Sequence, residues 1–150
     1  MKTKVDFIVR VDRSVKPNYP SQIKRAVHPE LELTGPAEYS LQDSVKEWLH
    51  DGQKCGTVKG NSIYHSLQSG GVLATCLNLQ DGIAIQTKGI DVFRKLFVGK
   101  VLALWGSVIQ HNDGYLRVPC LWGDNNNVGL FWHRLNGYWF SNHPALHFKK

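Results

Sequence analysis

The hydrophobic pattern changes period at Lys100, and this change constrains the fold more than any other feature of the chain. Before it, apolar residues recur mostly at helical spacing. After it, "KVLALWGSVIQ", "YLRVPCLW", "VGLFWHRL" and "YWFSNHPALHF" are strand-like runs divided by "HNDG", "GDNNN" and "NG". These dividers are turn compositions, so the last third is expected to form an antiparallel β-meander. The chain is read as a single α+β domain over residues 1–150: short helices in the first two thirds pack on a C-terminal meander, a partly open barrel or curved sheet. The N-terminal strand is expected to join that sheet.

In detail, "KVDFIVRV" alternates Val5, Phe7, Val9 and Val11 against Asp6 and Arg10 and reads as the first strand. A short helix is expected from near Pro20 to just before Pro29. "SLQDSVKEWLHDG" gives the clearest helical pattern, with Ser40 as N-cap, Leu41, Val45, Trp48 and Leu49 on one face, and Gly52 as the stop. Further helices are expected over "NSIYHSLQSGG", "LQDGIAIQTKG" and "IDVFRKLFVGK", the last burying Ile90, Phe93 and Phe97 while Arg94 and Lys95 look outward.

The final two runs carry an unusual density of rings, imidazoles and arginine. A two-residue Asn136-Gly137 turn of type I′ would set Leu135 opposite Tyr138 and His133 opposite Phe140. With a five-residue "GDNNN" loop, Trp122 opposes Val128 and Val118 opposes Trp132. Leu116, Val118, Cys120 and Trp122 then continue into Leu130, Trp132 and Trp139 as a core face. The reverse face shows Tyr115, Arg117, His133, Tyr138 and Phe140. A slip of one residue in that loop would exchange the two assignments.

Charge bears on partners. The formal net charge is +6, and residues 1–25 hold seven Lys/Arg against Asp6 and Asp12. Such an excess attracts polyanions over long range, though ordinary solubility also uses charge of this size. Three separated cysteines, Cys55, Cys76 and Cys120, suggest neither a disulfide framework nor a zinc knuckle. No run approaches the roughly 20 apolar residues of a membrane span, and Phe7-Ile8-Val9 is too short for a signal-peptide core, so a cytoplasmic location without membrane contact is expected.

Motifs of chemistry are sparse. His28, Glu30 and Glu32 alternate, so an extended segment would point all three one way and could pair a base with an acid. Their spacing matches no zinc signature; no metal or cofactor is expected. His50 sits at the end of the expected helix that carries Trp48, Cys55 lies in a loop near Lys54 and Lys59, and "GTVKGNS" lacks the spacing of a P-loop.

At "HPELELTGPAEYS", "EWLHDGQ" and "FRKLFVGK" the chain resembles a set of small uncharacterised bacterial proteins. The resemblance implies a bacterial or phage-like source and a free-standing domain, and transfers no activity or site residue. The leading expectation is therefore a small binding protein for a polyanion, RNA or single-stranded nucleic acid foremost. Lys16, Lys24, Arg25 and Arg117 would contact phosphates, Tyr138 and Phe140 would stack bases, and Tyr115 and His133 would share their face. The alternatives are a hydrolase using His28, Glu30, Glu32 and His50, and an inhibitor-like or immunity-like module binding a protein, such as an acidic one, through the aromatic face.

Overall fold

The structure is a computed structural model that describes residues 6–149. In chain order the strands and helices are β1 (Ile8–Arg10), β2 (Ile23–Ala26), β3 (Glu38–Ser40), β4 (Val45–Trp48), α1 (Asp51–Lys54), β5 (Val58–Lys59), α2 (Gly60–Ser69), α3 (Leu79–Lys88) and α4 (Ile90–Phe97). There follow β6 (Val101–Ala103), β7 (Ile109–His111), β8 (Leu116–Gly123), β9 (Val128–Arg134), β10 (Tyr138–Trp139) and β11 (Ala145–Phe148). Short 3-10 turns stand at Pro29–Leu33, Leu73–Thr75 and Trp105–Ser107.

The protein is α+β, and its main sheet is a curled, mixed half-barrel of seven strands in the order β2-β7-β8-β6-β11-β4, with β9 paired to β8. β8 organises it: Leu116 and Arg117 pair with β7, residues 120–122 pair with β6, and residues 117–123 pair with β9. Both faces are covered. On one, Val118, Cys120, Leu135 and Trp139 pack with Ile63 and Leu67 of α2 around Trp105. On the other, Leu102, Leu121, Val128 and Leu146 pack with Ile85 of α3 and Val92, Phe93 and Phe97 of α4.

Covered faces on both sides explain where the sequence pattern misleads. The segment expected as the clearest helix forms one turn, in which the Ser40 hydroxyl accepts from Asp43 N at 3.1 Å, and then becomes strand β4 against β11. Val45 packs in the α3–α4 core and Trp48 in the α2 core. Three residues apart, they would share a helix face, but they belong to opposite faces of a strand, and here an apolar cluster lies on each side. The helix expected after Pro20 is instead edge strand β2, paired to β7 with a bulge between Ile23 and Arg25. The first strand does not join the main sheet; β1 pairs only with β3 in a separate ribbon, and its expected start at Lys4 and Val5 lies outside the described residues. Helices α2, α3 and α4 lie where their patterns place them, and Phe93 and Phe97 are buried beside exposed Arg94 and Lys95.

Two corrections concern the last third. The β8–β9 loop has four residues, because the Asp124 carboxylate accepts from Asn126 N at 2.8 Å and Asn127 N at 2.7 Å and closes a tight turn. Gly123 is thereby drawn into pairing with Val128, and Val118 faces His133 instead of Trp132. In addition, β10 leaves β9 and pairs with β5. Neither Asn136 nor Gly137 enters the left-handed region, so the type I′ turn does not form, and Gly137 N bonds Arg134 O at 3.3 Å instead. The start of α2 presses on this corner: a Cβ at Gly60 would lie 2.7 Å from Leu135 O and 2.8 Å from Leu135 Cα, a gap only glycine fits.

Candidate functional site

The cationic end of the sheet is built by the β7–β8 turn and the end of β9. His111 N bonds Tyr115 O at 3.0 Å across the turn, and Gly114, at φ +88°, lets the chain reverse. Asp113 occupies the turn with its Oδ1 accepting from Tyr115 N at 3.0 Å. Its Oδ2 lies 2.6 Å from Arg117 and 3.8 Å from Arg134, and its Oδ1 lies 3.5 Å from His111 Nδ1. Partial burial works to raise the Asp113 carboxyl, but the Tyr115 N–H and the Arg117 and His111 side chains outweigh it and hold it below the usual carboxylate range.

Arg117 and Arg134 are direct cross-strand partners, so alternation puts both on one face, with Trp132 two residues before Arg134 on the same side. The Arg134 guanidinium sits 5.0 Å from the Tyr115 ring centroid, within cation–π range. Pro20 and Gln22, just before β2, close a cleft of about 330 Å³ lined also by His111, Arg117, Trp132 and Arg134. Beside it, edge strand β2 exposes Lys24 and Arg25, and Arg25 Nε donates to Gln110 Oε1 at 3.0 Å. Lys16 is exposed in the loop from β1 to β2, where the neighbouring Val15 carbonyl accepts from Gln80 of α3.

The register separates the residues expected on one platform. Arg117 lines the cleft and the Tyr115 ring stands against Arg134 beside it, whereas His133 opposes Val118 and faces the α2 side. There His133 packs 4.2 Å from the Trp139 ring and 5.8 Å from His143, and Phe140 lies 5.4 Å from His143. Burial lowers both imidazoles, opposed at His133 by the Tyr138 carbonyl and reinforced at His143 by the charge on His133. Tyr138 and Phe140 are 58% and 50% exposed, and the Lys59 ammonium stands 5.9 Å from the Tyr138 ring centroid. Trp139 is fully buried; Trp132 borders the cleft. Of the cleft residues only Arg117 was expected; Pro20, Gln22, His111, Trp132 and Arg134 were not. The signal for Trp132 and Arg134 was the four-residue loop, which sets Arg134 across from Arg117.

The residues of the hydrolase alternative enter different local contacts, with His28 and Glu30 still side by side. Pro29–Leu33 is a 3-10 turn instead of an extended segment, so Glu30 stays exposed while Glu32 turns inward. His28 Nδ1 lies 3.8 Å from Glu30, and His28 Nε2 hydrogen-bonds the Tyr64 hydroxyl. Glu32 Oε2 accepts from Tyr19 at 2.6 Å and Ser107 at 3.1 Å, while Oε1 is buried without a partner. His50 is the N-cap of α1, its Nδ1 accepting from Gly52 N at 2.8 Å. Among the described residues no group of three or more His, Cys, Asp or Glu side chains could hold a metal ion. Cys55 is exposed, Cys76 and Cys120 are buried, and burial pushes the Cys76 thiol up to about 12. No helix among the described residues is long and apolar enough to cross a membrane.

Burial raises the Glu32 carboxyl, opposed by the hydroxyls of Tyr19 and Ser107. A folded-state value above the unfolded one means that Glu32 contributes stability below its unfolded value, and that this contribution is lost as pH rises through the folded value. Glu32→Gln is therefore expected to be more stable than the parent by about 1 kcal/mol at pH 8, and to lose that advantage at pH 4. Urea titrations of both proteins at the two pH values measure this directly. An unchanged difference between pH 4 and pH 8 contradicts it.

Comparison with known proteins returns no match: no family model, no curated protein and no solved structure matches the chain.

Proposed function

We propose that this protein binds nucleic acid, single-stranded RNA foremost, at the cleft between the β7–β8 turn, the end of β9 and the segment before β2. The observation that carries the reading is the cross-strand pair Arg117–Arg134 with Trp132 in one concavity, and the Tyr115 ring against the Arg134 guanidinium beside it. Guanidiniums hold phosphate oxygens, and rings accept stacked bases at about 1–3 kcal/mol per base. Lys24 and Arg25 on the neighbouring edge strand extend the positive track. Tyr138 and Phe140 lie apart from the cleft and take no part in it.

A fluorescence-anisotropy titration with a labelled oligoribonucleotide tests this. Affinity is expected to fall steeply with salt, and Arg134→Gln is expected to weaken binding about tenfold while reducing the slope of log K against log salt by about 0.7. Arg134 is half exposed, so this variant should fold normally. No binding at about 50 mM salt would end the proposal. The exposed rings of Phe131, Tyr138 and Phe140 support a second reading, a protein partner on the opposite face. Co-purification of a stoichiometric protein with no nucleic-acid absorbance would favour it.

A further inference from the structure

We infer that Arg117, Arg134 and His111 form a seat for a terminal phosphate, a phosphomonoester at the end of the bound strand, and that Asp113 fills this seat in the free protein. The inference rests on the nucleic-acid reading and names which part of the strand the cleft takes.

Three features converge on it. First, like charges placed directly opposite on neighbouring strands repel, and Arg117 and Arg134 are so placed. Asp113 offsets that repulsion from 2.6 Å and 3.8 Å, as another anion in its place would. Second, that single carboxylate faces two guanidiniums and accepts from the Tyr115 N–H, so one negative charge stands against two positive ones, with the His111 ring beside them. A phosphomonoester brings a charge of about −1.5 to −2 and three terminal oxygens, and it matches the set better than a carboxylate or a singly charged internal phosphodiester. Third, Asp113 is one-third exposed in a turn next to Gly114, and the Arg117 side chain that it pairs with is 12% exposed and lines the cleft. Trp132 and Tyr115 would then flank the terminal nucleotide, and about 330 Å³ lies at the small end of the range for ligand clefts.

The test compares one oligoribonucleotide carrying a 5′-hydroxyl, a 5′-phosphate or a 3′-phosphate, on the parent protein, Asp113→Asn and Arg134→Gln. The carboxamide of Asp113→Asn would keep the Oδ1 that accepts from Tyr115 N, so the turn is retained while its charge is lost. One of the phosphorylated ends is expected to bind about tenfold more tightly than the hydroxyl end. Asp113→Asn should strengthen that binding, Arg134→Gln should abolish the preference, and inorganic phosphate should compete only for the phosphorylated ends. Inorganic phosphate should also raise the melting temperature of Asp113→Asn more than that of the parent. Equal affinity for all three ends, with binding intact, overturns the inference and leaves the nucleic-acid reading standing. If no oligonucleotide binds, that reading falls, and adenosine monophosphate followed at the Tyr115 amide by NMR decides the seat: a saturating shift supports it, and no shift up to about 10 mM removes it.

Discussion

Asp81→Ala is expected to lower the unfolding free energy by about 3–5 kcal/mol, because it leaves a buried guanidinium without its counter-charge. Arg13 and Asp81 meet at 2.7 Å with side chains only 11% and 1% exposed. The same carboxylate accepts from the Tyr39 hydroxyl at 2.8 Å and, through Oδ2, from Asn78 N at 3.0 Å, where it completes the capping box of α3. Arg13 in turn donates to Pro36 O. One side chain thus joins the loop after β1, the β3 ribbon and α3, so its removal leaves three donors unsatisfied at once. Asp81→Asn retains an acceptor and should cost about half as much. Urea denaturation measures both, and a loss below about 1 kcal/mol in Asp81→Ala would show that the network is solvated.

Trp105→Ala should be comparably severe, about 3–5 kcal/mol, since it empties the centre of the α2 core. Trp105 is fully buried between the rings of Tyr64, stacked at 6.0 Å, and Trp139, at 5.1 Å. The conservative variants make the sharper comparison. Trp105 Nε1 is buried without a hydrogen-bond partner, whereas Trp139 Nε1 donates to Arg134 O at 3.2 Å. Trp105→Phe removes a desolvated, unpaired donor, while Trp139→Phe removes a made hydrogen bond and leaves Arg134 O with the Gly137 N–H alone. Trp139→Phe is therefore expected to be the more destabilising of the two by about 1 kcal/mol, and thermal unfolding of both gives the order. The reverse order would mean that shape, not hydrogen bonding, governs this core.

The legible parts of the fold were those whose period had a single reading. Helix α4 buries Phe93 and Phe97 and exposes Arg94 and Lys95, as its spacing requires. The β7-β8-β9 meander follows from its turn compositions. What was not legible depended on long-range partners. Ser40 and Asp43 do form a local cap, but pairing with β11 draws Val45–Trp48 into a strand regardless. The candidate cleft depended on one residue of register: the Asp124 turn decides whether Trp132 or His133 faces Val118, and so whether Arg134 meets Arg117. Glu32 was visible as a carboxylate, but its inward turn arises from the 3-10 geometry that follows Pro29.

The place of β11 has a consequence for how the chain acquires this shape. In the sheet it stands between β4 and β6, antiparallel to the first and parallel to the second, yet it follows both in sequence. During vectorial synthesis, β4 emerges long before its one sheet neighbour among the described residues exists, since that neighbour is Ala145–Phe148. Closure of that half of the sheet is therefore a late, non-local event. The nascent chain must hold β4, with Val45 and Trp48 unpacked, until β11 has been made, the interval in which chaperones and aggregation compete for it.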